Sequence, residues 1–248
     1  MVSRSDNKIT YFGTIDSTNN EARRRITAGA FLDDLNGTVL VASKQTAGRG
    51  RHGREFLSLS NRAIYISFIL RADGVQLLTV AAAVAVCRAL DKVDIEGAQI
   101  KWVNDIIIDE RKICGILAET VSATGNPDDK FAVLGIGVNV NVDEEKIPAE
   151  LVSIAGGISM SEEKRVQLIH AIIDEVTGEC YEAPVDTLLE EYRRRSMLIN
   201  RAVTVHNLAT KEKTPATAIS IADDGGLKVR YEDGTTEILN SGEVSVRT

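Results

Sequence analysis

The densest chemistry in the sequence lies in Lys44 to Arg54, KQTAGRGRHGR, where Gly48 to Arg54 place three glycines and three arginines in seven residues. Such a segment cannot pack a core. Glycine lets a backbone approach a ligand closely, and guanidinium forks match the geometry of phosphate and carboxylate. Together they describe a loop that orders around an anion; a solvated surface turn is the other reading of the same residues. Gly48, Gly50 and Gly53 also satisfy the G-x-G-x-x-G spacing of dinucleotide sites. That fingerprint requires a helix directly after the loop. Here Glu55-Phe56-Leu57-Ser58 runs instead into an alternating stretch, so no NAD site is expected.

Two further stretches could serve a ligand. In residues 131–142, Ala132, Leu134, Ile136, Val138, Val140 and Val142 point to one side of a strand, toward a core. Phe131, Val133, Gly135, Gly137, Asn139 and Asn141 point to the other. Glycine inside a strand marks close approach by something. The two glycines and two carboxamides read as a flat floor for a slender organic ligand, or as clearance for a packed helix. The other stretch is Lys101-Trp102-Val103-Asn104-Asp105, followed by Lys112 and Gly115; Asn and Asp supply oxygen of the kind magnesium takes beside phosphates. His52 lies in the anion loop, while His170 and His206 read as structural, so the three histidines form neither a triad nor a zinc set. No serine or cysteine has the setting of a nucleophile, which leaves positioning and charge stabilisation as the expected chemistry.

The elements that must position these residues follow from periodicity. A strand at Ile9 to Phe12 leads through Asp16-Ser17-Thr18 into a helix ending near Ala28, with Thr18 and Glu21 at capping-box spacing. Gly37 to Lys44 reads as a buried strand, and Ile64, Ile66, Phe68 and Leu70 alternate as in a half-buried one. Residues 74–92 read as an Ala-rich buried helix. Asp105 to Ile108 and Lys112 to Leu117 form a hairpin about Asp109-Glu110-Arg111. Residues 161–181 and 184–196 are amphipathic helices. From Leu198 the texture changes to short strands split by Asp224-Gly225-Gly226 and Asp233-Gly234 turns. We therefore expect an α+β catalytic domain over 1–197 and a small β-barrel-like domain over 198–248.

The bulk properties exclude several classes. A net charge of −7 argues against a broad nucleic-acid surface. The longest apolar run, Leu77 to Cys87, is too short to cross a bilayer, and the N-terminus has no secretory core. Cys87, Cys114 and Cys180 are odd in number and set in apolar stretches, as in reduced proteins of the cytoplasm.

Ser17-Thr18-Asn19, QTAGRGRHGR (45–54), KWVND (101–105), RKICGILAE (111–119) and GIGVNVN (135–141) occur in the order and spacing of biotin–protein ligases, and the resemblance covers nearly the whole chain. It implies a central mixed sheet flanked by helices, like that of class II aminoacyl-tRNA synthetases, with an SH3-like β-barrel C-terminal domain. It also implies the two-step chemistry of the family: biotin and MgATP give biotinyl-5′-AMP, and a lysine of a biotin carboxyl carrier protein then takes the biotin. Ser17, Thr18 and Gln45 would bind the ureido ring, with Asn19, Gly48 and Gly50 beside them. Gly115, Gly135 and Gly137 would floor the slot. Arg49 and Arg51 would hold the carboxylate and α-phosphate, and Lys112 would be the principal catalytic lysine. Lys101, Arg54, Asn104, Asp105 and Asn139 would help place ATP, with Asp105 a magnesium ligand and Phe56 stacked on adenine. Three positions depart from the family pattern: Val103 for a common proline, Phe56 for a tryptophan, and Asn200 for a glycine. With the first helix starting near residue 17, a monofunctional enzyme without a DNA-binding domain is expected. A homodimer stays open. The rival readings are a lipoate or octanoate ligase or transferase of the same fold, and a non-catalytic biotin sensor.

Overall fold

A computed structural model describes residues 8–29, 32–54, 56, 63–71, 77–124, 126–143, 145, 147–149, 151–207, 210–240 and 242–246. The sequence expectations for 57–58 and 74–76 lie outside these residues. The larger part of the chain builds a seven-stranded sheet ordered β1-β2-β3-β7-β6-β5-β4. Its strands are β1 (Ile9–Ile15), β2 (Thr38–Gln45), β3 (Ile64–Arg71), β4 (Gln99–Lys101), β5 (Asp105–Ile108), β6 (Arg111–Ala123) and β7 (Asn126–Val138). Only β1 and β2 run parallel, because helix α1 (Thr18–Thr27) carries the chain across between them; every other pairing is antiparallel. The β5–β6 turn is Asp109-Glu110, both at positive φ (49° and 61°), as a two-residue hairpin turn requires, and Arg111 already belongs to the strand.

Both faces of this sheet are covered. On one face Ala22 and Ile26 of α1, one helical turn apart, pack on Leu40, Ile69, Val121, Phe131 and Val133. On the other, the nearly all-apolar α2 (Leu78–Lys92) lies between the sheet and the helices α3 (Glu162–Asp174) and α5 (Val185–Arg195). Hence β3 is not half-buried as its alternation suggested: every residue from Ile64 to Leu70 is buried. Tyr65, Ser67 and Ile69, the positions between the aliphatic ones, face the α1 side. The expected helix over 161–181 starts at Glu162 and changes to a π-helical turn at Glu175–Glu179 before the short α4 (Cys180–Glu182). Glu175, fully buried there, pairs with Lys92 and lies 3.8 Å from Arg88.

The remaining strands, β8 (Ala202–His206), β9 (Lys213–Ile221), β10 (Leu227–Tyr231), β11 (Thr236–Leu239) and β12 (Glu243–Val246), form an antiparallel sheet ordered β11-β10-β9-β8-β12. The small β domain is present as expected, but among the described residues its sheet is not closed into a barrel: β11 and β12 are its two edges, and no pairing joins them. It docks on the first sheet through its β9–β10 turn, where Trp102 Nε1 donates to Gly225 O at 3.0 Å and Arg193 Nε to Ile221 O at 2.9 Å. No helix among the described residues is long and apolar enough to cross a membrane.

Candidate active site

A cavity of about 170 Å³ opens where the start of α1, the end of β2, the Gly48–Arg54 loop and the β5–β6 hairpin meet. One end of it meets a buried chain of polar side chains at the first turn of α1. Thr18 N–H and Oγ1–H both donate to Gln45 Oε1, at 2.7 and 3.0 Å. A backbone N–H can only donate, so the carboxamide oxygen of Gln45 must face Thr18, and its NH2 is what it can offer a ligand. Ser67 Oγ lies 2.7 Å from Thr18 Oγ1 and donates to Asn19 Oδ1 at 2.6 Å. Ser17 is the helix N-cap but makes no side-chain cap bond, so the capping box expected of Thr18 and Glu21 is not formed. Thr18 is held by Gln45 and Ser67, while Glu21 pairs with Arg24 and Arg25.

The glycines of β6 and β7 do reach the cavity wall, but protein side chains lie on them. A Cβ at Gly135 would overlap Asn19 Oδ1, and one at Gly137 would come within 2.7 Å of the Phe56 ring. Gly115 faces the same ring from the neighbouring strand, with which Gly137 is paired. Phe56 is therefore no open shelf for adenine. It lies across Gly115 and Gly137, edge-on to Tyr65 with ring centroids 6.1 Å apart. Its ring takes up part of a slot that is small beside the roughly 300–1,000 Å³ of most ligand pockets.

Positive charge dominates the rest of the wall. Arg49, Arg51, Arg54, Lys101 and Lys112 line the cavity with Asp105 as the one carboxylate among the described lining residues. In a chain of net charge −7, so local an excess gives the cavity a field that attracts anions. Lys112 Nζ lies 2.7 Å from Asp105 Oδ1 across the hairpin. Arg51 donates to Asn104 Oδ1 at 3.0 Å and to the O atom of Gly242, just before β12, at 3.3 Å. Arg49 donates to Glu119 Oε1 at 2.8 Å and to Asn20 Oδ1 at 3.2 Å. No group of three or more His, Cys, Asp or Glu among the described residues is set to hold a metal ion. The Trp102–Val103 peptide is cis.

The structure thus brings Ser17, Thr18, Asn19, Gln45 and Gly50 together with the five cations, Asn104, Asp105, Phe56 and the three strand glycines. Gly48 and Asn139 are not on the wall. Gly48 sits behind it, against the Phe56 carbonyl. Strand β7 ends at Val138, so Asn139 and Asn141 follow it and pin the 156–160 segment: Asn139 Nδ2 donates to Gly156 O at 3.0 Å, and Asn141 exchanges hydrogen bonds with Met160. Sequence reasoning missed Ser67, Tyr65, Asn20, Glu119 and the wall residues Gly242 and Val244. Of these only Ser67 carried a signal, as the one polar residue within Ile64 to Leu70.

Known proteins resemble this chain in sequence and in fold. Residues 13–139 match the model of the biotin/lipoate A/B protein ligase family, and residues 198–247 that of the biotin protein ligase C terminal domain. The chain is 30% identical over 239 residues to the biotin–[acetyl-CoA-carboxylase] ligase of Mycobacterium tuberculosis, covering 92% of this chain and 85% of that one. It is 31% identical over 220 residues to the bifunctional ligase/repressor BirA of Bacillus spizizenii, covering 83% of this chain but 65% of that relative. Among solved structures it resembles the biotin protein ligase of Aquifex aeolicus in complex with biotin and ATP. There the TM-score is 0.77 and the identity 25%, over 97% of this chain and 98% of the other.

Proposed function

The chain belongs to the biotin/lipoate A/B protein ligase family, and we propose that it is an ATP-dependent biotin–protein ligase. The observation that carries this reading is the pairing, in one cavity, of a neutral hydrogen-bonding end with a cationic end. The first, Thr18, Asn19 and Gln45 with Ser67 bonded behind them, suits a small polar ring. The second, five Lys and Arg side chains, suits two anions brought into contact. In the first step a biotin carboxylate oxygen attacks the α-phosphorus of ATP, the bond to the β-phosphate oxygen breaks, and pyrophosphate leaves. Carboxylate and phosphate repel each other; Arg49, Arg51 and Lys112 offset that repulsion and stabilise the charge spread over the transferring phosphoryl group. Magnesium arrives with ATP as part of the substrate. Asp105 is the carboxylate that would meet it, the phosphates supplying further oxygens.

In the second step the neutral amine of an acceptor lysine attacks the acyl carbon of biotinyl-5′-AMP, and AMP leaves. The acceptor is a biotin carboxyl carrier domain of a biotin-dependent carboxylase. The match of residues 198–247 to a biotin ligase C-terminal domain favours biotin over lipoate as the acid. The test combines purified protein with MgATP and either biotin or lipoate. Biotin-dependent pyrophosphate release, followed by a biotin-sized mass increase of an added carrier domain, is the expected result. Release with lipoate and none with biotin would reassign the acid.

A further inference from the structure

Glu119 is absent from the cavity wall, yet it holds one of the wall's cations from behind. It lies on β6, four residues beyond Gly115, facing α1. Its Oε1 accepts from Arg49 Nη2 at 2.8 Å and lies 3.6 Å from Arg23 Nη1. Arg49 Nη1 is taken separately by Asn20 Oδ1 of α1 at 3.2 Å. Two acceptors on different elements, one on each terminal nitrogen, fix the plane of the guanidinium as well as its position. Glu119 Oε2, meanwhile, is buried with no hydrogen-bond partner among the described residues. The side chain as a whole is 20% exposed, and one placed for stability alone would be expected to give its buried oxygen a partner. Glu119 is instead arranged about the orientation of Arg49.

We propose that Glu119 is a positioning residue that presets Arg49 for the carboxylate of the acid substrate, an assignment that rests on the adenylation reading above. Its negative charge also lowers the mutual repulsion of Arg23 and Arg49 before any anion arrives. Removing it leaves Arg49 present but unoriented, so the ordering entropy of a long side chain falls on substrate binding. The chemical step, once Arg49 has engaged, is little changed.

The test is a double-mutant cycle read by pyrophosphate release, with Glu119→Ala, Glu119→Gln, Arg49→Ala and the Glu119→Ala/Arg49→Ala pair. Glu119→Ala is expected to raise KM for biotin by about tenfold with kcat within about twofold. Glu119→Gln, which keeps a neutral acceptor for Arg49, should give a smaller rise. In the Arg49→Ala background, Glu119→Ala should add nothing, an outcome that a general packing role would not produce. Equal KM factors in both backgrounds, or a lowered melting temperature with unchanged KM, would overturn the proposal while leaving the adenylation reading intact. Wild-type protein that releases no pyrophosphate with biotin would overturn both together.

Discussion

Lys112 and Asp105 face each other at 2.7 Å across a hairpin turn, so removing the ammonium does two things at once. It withdraws a cation from the cavity wall proposed to hold the phosphates and leaves the Asp105 carboxylate there without its counter-charge. Lys112→Ala is therefore expected to slow single-turnover formation of the adenylate by on the order of a hundredfold, about 3 kcal/mol of barrier. Rapid-quench measurement checks this, and a wild-type rate would reject the assignment. Gly135→Ala tests a different kind of contact. Its new Cβ overlaps Asn19 Oδ1, which Ser67 holds, so Asn19 must move and the hydrogen-bonded chain to Thr18 and Gln45 loosens. Urea unfolding should show a loss of about 1–3 kcal/mol, accompanied by weaker biotin binding. At this scale the cations were legible because three arginines among three glycines stand out in an acidic chain, and the structure gathers all three arginines on one wall. Their partners were not. Glu119 is one of 36 acidic residues, and nothing in its neighbourhood along the chain reveals that Arg49, 70 positions away, ends beside it.

The crossover from β1 through α1 to β2 shows what pattern can and cannot tell about elements. Its strands and helix were readable from apolar runs and a polar start, since those depend on near neighbours. The capping box was not formed, because Gln45 from β2 reaches Thr18 first, a tertiary contact invisible to local spacing. Strand β3 was misjudged for a similar reason: alternation of Ile and Phe with Tyr, Ser and Ile indicates one buried face, but α1 covers the second. The start of this crossover also makes a pH prediction. Asp16 accepts two hydrogen bonds from Arg24 at 2.8 Å, which hold its carboxyl well below the usual aspartate range. A depressed folded-state pKa stabilises the fold above the unfolded value of about 3.9 and is lost as pH falls toward the folded value. Both side chains are more than a third exposed, so Asp16→Asn should cost less than about 1 kcal/mol at pH 7. The gap between wild-type and Asp16→Asn urea midpoints should narrow steadily below pH 4. A gap that is constant from pH 7 to pH 2 would show that the pair contributes nothing through its charge.

At the scale of the whole molecule, the cavity is completed by a part of the chain that carries no cation of the proposed chemistry. Val244 of the C-terminal sheet and Gly242 just before its strand β12 line it, and Arg51 reaches across to the Gly242 carbonyl. The change of texture near Leu198 made a second unit legible, since short strands and Asp-Gly turns are local signals. Where that unit docks was not, because docking rests on contacts between residues far apart in the chain, such as the Trp102 indole and the Gly225 carbonyl, 123 positions apart. Trp102 is buried beside the cavity, and its Nε1–H meets Gly225 O at a turn whose other side leans on Leu77 and Val80. Trp102→Phe keeps an aromatic ring but leaves that carbonyl unpaired, at an expected cost of about 1–3 kcal/mol. The loss should be felt first at the junction. Amide exchange should rise at Gly225 and Gly226 by more than in α3, which packs on the far side of α2, and adenylate formation should fall because Arg51 loses a fixed partner in Gly242. If exchange instead rises evenly through α3 and the β9–β10 turn, Trp102 acts as a core residue of the first sheet. The C-terminal sheet would then be held over the cavity by its other contacts, among them the bonds of Arg193 to Ile221 and Asp223 and that of Arg51 to Gly242.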